Sequence, residues 1–241
     1  LSAFGLRTRL ERCDENVIAS RVPAVLERLE AGERVAFVSD AGMPGVSDPG
    51  QKLVDAALDA GLKVEVVPGP SAVTCALVAS GLASEHFFFE GFLPRKKSAQ
   101  VARLEELSCI PGALVVYESP RRVAATLANA AEVFPARRVA LVRELTKLHE
   151  ECVRGLSGEL AEAIAARDEV RGECVVVIAA PDAEELDERR RAAAGGPATL
   201  EEAIAEGISA GEPKSGLARR LAREFGVPKS EVYDAILEAE A

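Results

Sequence analysis

Histidine and cysteine are scarce in the forms that metal or disulfide chemistry needs. There are two histidines, and Cys13, Cys75, Cys109, Cys152 and Cys174 each stand singly, with no CxxC spacing. That pattern argues against a disulfide framework and against a zinc centre, so no metal is expected. Long apolar runs are lacking too. Stretches such as CVVVIAAP are far too short to cross a bilayer, and no charged-then-apolar leader opens the chain, so a cytoplasmic protein without membrane contact is expected. Two phosphate-binding signatures are missing as well: GxxxxGK(S/T) does not occur, and AGMPG does not fit GxGxxG.

What is present is a chain of 241 residues, 48% of them hydrophobic, enough for a full core and for two domains. The net charge of −10 argues against indiscriminate nucleic-acid binding, but the charge is uneven. Residues 181–212 carry nine acids and three arginines, whereas residues 91–103 hold Arg95, Lys96, Lys97 and Arg103 and no acid. Local basic patches of this kind can meet phosphates. The chain opens on Leu1 rather than methionine. LSAFG reads as the last turn of a helix stopped at Gly5, so the sequence is taken to lack its natural N-terminus.

Pattern divides the chain into an α/β domain over 1–82, a second over 83–180, a charged linker over 181–198 that is partly helical or disordered, and a helical module over 199–241. In the first domain a helix is expected from near Pro23 to Ala31, and RVAFV is expected as a strand buried on both faces. The loop SDAGMPGVSDPG follows, with Asp48 able to cap a helix over Leu53–Ala60 whose first turn holds Pro49. KVEVV is the next expected strand. PGPSA then breaks it, and Ser71 caps a helix ending at Gly81. In the second domain ALVVY, RVALV and CVVVIAA are strand-like, and the first two end in the polar clusters ESPRR and RELTK. Ligands of open α/β sheets sit outside the carboxyl ends of strands, which is where these loops fall. In the tail, Leu217, Leu221 and Phe225 share one helix face, Gly226 turns the chain, and Val232, Tyr233, Ile236 and Leu237 form a second apolar face. The pattern is that of a helix-turn-helix, and its modest basic excess suits a structural hairpin or nucleic-acid contact equally. Loops that offer carboxylates, hydroxyls and backbone groups suit S-adenosylmethionine, a nucleoside with a sulfonium and no phosphate.

Taken in order, VSDAGMPGVSDPG, VVPGPSAVTCALVASGL, FEGFLPRKK, YESPRR, RELTKLHEE and RGECVVVI resemble the ribosomal RNA small subunit methyltransferase I family, in the tetrapyrrole methylase class. The resemblance covers essentially the whole chain. It implies a two-domain tetrapyrrole-methylase-like α/β fold with the methyl donor held between the domains, and a homodimer. It also implies 2'-O-methylation of a cytidine in the decoding region of 16S rRNA, in the free RNA or the small ribosomal subunit. The family's opening strand and its Pro-Ile-Gly-Asn and Glu-Asp-Thr-Arg stretches precede Leu1, Met43 stands where threonine is usual, and Arg121 where histidine is usual. By this resemblance Ser39, Asp40, Ala41, Gly42, Met43, Ser71, Ala72 and Tyr117 are expected at the donor. Glu118 and Glu144 are candidate proton acceptors, with Arg143 and Lys147 as holders of phosphate or of developing oxyanion charge. Arg95, Lys96, Lys97, Arg219, Arg220 and Arg223 are candidate RNA contacts. The plainer readings are a helix cap for Ser71, a surface ion pair for Arg143, Glu144 and Lys147, and a solvated loop for Arg95–Lys97. C-methylation of a tetrapyrrole and a non-catalytic RNA-binding fragment are the competing functions.

Overall fold

Residues 5, 7–39, 42–47, 49–193, 197 and 199–239 are described by the computed structural model. The helix end expected before Gly5 and the cap expected at Asp48 lie outside them. The chain divides into two compact units, Leu1–Ala76 and Leu77–Ala241.

The first unit holds helices α1 (Ile18–Glu30) and α2 (Gln51–Asp59) and the start of α3 (Ala72–Ser80). Helix α1 begins earlier than expected and carries Pro23 inside it. Its start is fixed by Asp14, whose carbonyl oxygen accepts from the Val17 and Ile18 N–H groups at 3.0 and 2.9 Å. Helix α2 buries Leu53 and Ala57, the face its spacing marks out. The two strands expected here are corrected. Residues 35–38 and 64–67 join no ladder among the described residues, and Val38, Val66 and Val67 are exposed. An apolar run of β-branched residues favours an extended backbone, but a strand exists only where a neighbour takes its N–H and C=O groups.

The second unit contains a five-stranded mixed sheet in the order β1-β2-β5-β3-β4. Its elements are β1 (Phe87–Phe92), α4 (Lys97–Leu107), β2 (Ala113–Glu118), α5 (Val123–Val133), β3 (Arg138–Arg143), β4 (Glu151–Leu156), α6 (Ser157–Ala165) and β5 (Cys174–Ile178). The three expected strands appear as β2, β3 and β5. Strands β1 and β4 are additions at the sheet's two edges, where β4 alternates between half-buried and exposed residues. Strand β5 is buried at every position. Leu114, Val116, Val139, Leu141, Val176 and Ile178 pack with Leu104, Leu127, Phe134 and Ile164 of the helical layer. Val115, Ala140 and Val177, which point to the opposite face, are buried as well, which is why the central strands read as unbroken apolar runs.

Helix α7 (Ala183–Ala193) occupies most of the expected linker, and α8 (Leu200–Ser209), α9 (Lys214–Phe225) and α10 (Lys229–Ala239) make up the tail. Thr199 and Glu202 form a capping box that starts α8. Gly226, left-handed at φ 68°, ends α9 as expected. Ala203, Ile204, Leu217, Ala218, Leu221, Val232 and Ile236 form the tail's own core. Tyr233 and Leu237 are corrected: both are exposed. One step along a helix turns a side chain by about 100°, enough to rotate this pair off the face of Val232 and Ile236.

Leu141→Ala should cost about 2–5 kcal/mol, because Leu141 is fully buried at the centre of the sheet. Leu58→Ala, at an exposed site on α2, should stay within about 0.5 kcal/mol. Denaturant titration of the two variants checks the contrast.

Candidate functional site

In the first unit the two loops singled out by sequence lie side by side: a side chain built on Gly42 would sit 3.7 Å from the Pro70 carbonyl oxygen. Gly42 is left-handed at φ 72° and Met43 is half-buried. Asp40 and Ala41 lie outside the described residues. Ser71 and Ala72 start α3. The Ser71 carbonyl accepts from the Cys75 N–H at 3.0 Å and from the Thr74 hydroxyl at 3.2 Å, and Ala72 is exposed. Neither loop carries a lysine or arginine, so what they present is backbone groups and small side chains.

In the second unit, β1 is parallel to β2, and both β2 and β3 are antiparallel to β5. The carboxyl ends of β1, β2 and β3 therefore share one end of the sheet. There Glu118 and Arg143 both face Cys174 in register, and Glu151 faces Arg143. Tyr117 packs edge-on against Phe89 and Phe92, with ring centroids 4.8 and 5.8 Å away. Burial pushes the Cys174 thiol up to about 11, which leaves it protonated near neutrality.

At this end Glu118, Arg143, Glu144, Lys147 and Glu151 are each held by other residues. The Glu118 side chain is fully buried and accepts from the Ser119 N–H and the Thr126 hydroxyl, both at 2.7 Å, with Arg122 at 3.1 Å. Arg143 Nε donates to Glu151 at 2.5 Å, and Arg167 grips the same carboxylate with two bonds of 2.8 and 2.9 Å. Glu144 is left-handed at φ 53°. Its carboxylate accepts from Lys147 at 2.9 Å and from the Glu173 N–H at 3.0 Å, and Lys147 also reaches Glu173 at 3.0 Å. These bonds, Lys147 first, hold the Glu144 carboxyl below its ordinary range and the Lys147 ammonium above its own. Any side chain on Gly172, at φ +87°, would run into the Glu144 carboxyl. The motifs RELTKLHEE and RGECVVVI are thus one interlocked structure.

The basic residues differ in how far they are committed. Arg95 and Lys96 are exposed and form no ion pair among the described residues, while Lys97 pairs with Glu132 at 3.0 Å. Arg219 and Arg223 are exposed on α9. Arg220 is bound to Glu212 at 2.7 Å and to Glu224 at 3.1 Å. Among the described residues no three His, Cys, Asp or Glu side chains group as a metal site, and no helix is long and apolar enough to cross a membrane. Sequence reasoning missed Arg122, Thr126, Glu151, Arg167 and Glu173. Three of the five, Arg122, Glu151 and Glu173, lie in the quoted motifs, but pattern gives no sign of which charge meets which.

The profile of the tetrapyrrole (corrin/porphyrin) methylases matches residues 5–161, and the chain belongs to that class. The solved structure of the methyltransferase CobJ is similar in fold, with a TM-score of 0.56 and 21% identity, covering 73% of this chain and 79% of that one. Ribosomal RNA small subunit methyltransferase I of Mycobacterium tuberculosis is 47% identical over 228 residues, 93% of this chain and 75% of that protein. The Bacillus subtilis protein of the same name is 38% identical over 232 residues, 96% of this chain and 78% of that protein. The chain belongs to the ribosomal RNA small subunit methyltransferase I family, and it is an S-adenosylmethionine-dependent methyltransferase.

Arg167 and then Arg143 hold the Glu151 carboxyl down to about 2, against an ordinary value of 4.5. Its folded-state value is depressed, so the stabilisation it brings is complete above about 4.5 and is lost as pH falls to about 2. Glu151→Gln should therefore lower the melting temperature at neutral pH, and the difference from the parent should shrink below pH 4.5 and vanish near pH 2. Thermal melts across that range check it.

Proposed function

We propose that this chain transfers a methyl group from S-adenosylmethionine to the 2'-hydroxyl of a cytidine in the decoding region of 16S rRNA, as a cytoplasmic homodimer. The observation that carries this reading is 47% identity over 228 residues to a ribosomal RNA small subunit methyltransferase I. The six motifs that run in the family's order support it, whereas the likeness to CobJ, at 21% identity, speaks to fold.

S-adenosylmethionine supplies a methyl group already activated on a sulfonium. Ser39, Gly42 and Met43 suit it, together with Asp40 and Ala41 of the same loop and with Ser71 and Ala72. They offer hydroxyls, backbone groups and small side chains without the cations a polyphosphate needs. Tyr117, which the family resemblance adds to the donor residues, is half-buried on β2 of the second unit. Arg95 and Lys96, and Arg219 and Arg223 on α9, have no acid to satisfy among the described residues and suit RNA phosphates. Lys97 and Arg220 contribute less, since Glu132, Glu212 and Glu224 already occupy them.

The four polar residues at the strand ends act mainly by holding the loops. Glu118 is enclosed by donors, and a carboxylate held below its ordinary range, as Glu144 is, makes a poor proton acceptor. The S–CH3 bond breaks as the O–CH3 bond forms and the hydroxyl proton passes to water, so the rate rests on keeping the ribose hydroxyl in line with the methyl group, a contribution that reaches several kcal/mol in well-oriented systems.

Radiolabelled donor should mark 30S subunits or 16S rRNA, with the label on a cytidine 2'-oxygen by nucleoside mass spectrometry. Labelling of uroporphyrinogen instead would overturn the reading. In the same assay Glu144→Gln should lower the single-turnover rate by less than about tenfold, against the roughly 10²–10⁴ lost when a general base is removed.

A further inference from the structure

The cationic turn after β1 is gripped by side chains from elsewhere in the sheet unit. Arg122 Nη2 donates to the carbonyl oxygens of Leu93 at 2.9 Å and Pro94 at 3.1 Å. Gln100 Nε2 donates to the same Pro94 oxygen at 3.2 Å and to the Thr126 hydroxyl at 3.2 Å, and Gln100 Oε1 accepts from Asn129 at 2.5 Å. The Thr126 hydroxyl in turn donates to Glu118 Oε2, and the same oxygen forms an ion pair with Arg122 Nη2 at 3.1 Å. Gln100, Glu118, Thr126 and Asn129 are all buried. The chain of bonds is closed, running from a carboxylate at the end of β2 to two carbonyls that immediately precede Arg95.

A buried ion pair is weak evidence of stability, because desolvation offsets most of its attraction and apolar packing of the same volume serves as well. What apolar packing cannot supply is donors for two loop carbonyls. A fully bonded polar network also fixes one geometry where an apolar contact would tolerate several. The residues next along the chain are Arg95 and Lys96, both exposed. Long exposed cations lose less freedom on binding when their backbone is already fixed.

We infer that Arg122 is a positioning residue for RNA binding: it locks residues 93–94 so that Arg95 and Lys96 leave the turn at a fixed place, with Glu118 as its buried counter-ion rather than as a proton acceptor. This rests on the RNA reading above. Arg122 touches no substrate in this role and acts through the turn.

The test measures binding of a 16S rRNA decoding-region fragment to the full chain at several salt concentrations, beside donor affinity by calorimetry. Arg122→Met keeps an apolar stem and removes the donors. It should weaken RNA binding about tenfold near 0.1 M salt and reduce the salt slope by roughly 1 to 2 units, the share of two phosphate contacts, without changing donor affinity. The double variant Arg95→Ala, Lys96→Ala should show the same loss, and adding Arg122→Met to it should cost nothing further, since both act on the same contacts. Arg122→Lys, which keeps a charge for Glu118, should fall between parent and Arg122→Met, and it carries the test if Arg122→Met does not fold. A purely structural role predicts otherwise: an unchanged salt slope and additive losses, either of which overturns the assignment, whereas a lower melting temperature follows from either role because it reports only the unpaired Glu118. Failure of the parent chain to bind the RNA would overturn the rRNA reading itself and this inference with it. RNA binding by the parent with a slope that Arg122→Met and Arg122→Lys leave unmoved would overturn the positioning role alone.

Discussion

The sheet unit depends on the placement of β5. Because this fully buried strand runs antiparallel to both of its neighbours, β2 and β3 are forced to point the same way. Their carboxyl ends then open at one end of the sheet, with Glu118 and Arg143 each opposite Cys174. The arrangement also explains the composition of the central strands, which are buried on both faces and leave polar residues only at their tips.

At that end, electrostatics is organised as closed groups. Glu118 with Arg122, Glu151 with two arginines, and Glu144 with Lys147 each satisfy the carboxylate by direct bonds. Partly buried charges demand this, since one left without a partner carries its full desolvation penalty. The result is that loops which would otherwise be mobile are tied at their bases. Arg95, Lys96, Arg219 and Arg223, which form no ion pair among the described residues, lie outside these groups and are exposed.

The sequence made the central strands and the tail helices legible because buried runs and helical spacing are local patterns. The order of the six motifs made the family legible. Less could be seen where the outcome depends on a distant residue. RVAFV and KVEVV advertise extended backbone, yet pairing needs a neighbour that the segment itself does not name. Glu118 looked like a free acid at an open strand end, because its partners Thr126 and Arg122 show only once α5 has folded back over β2. The pairing of Glu151 with Arg167 spans 16 positions and has no periodic sign at all. Tyr233 and Leu237 were misplaced for a smaller reason, a rotation of one residue on a helix whose inner face is narrow.

The tail's core shares no residue with the core of the sheet. Helices α8, α9 and α10 interlock among themselves, with the methyl-free backbone of Gly207 giving Leu217 its space. In evolutionary terms such a module is separable cargo. Its outward face can drift, acquire charge or be exchanged for another while the packing problem of the sheet stays solved, so the tail and the sheet can be revised at different speeds.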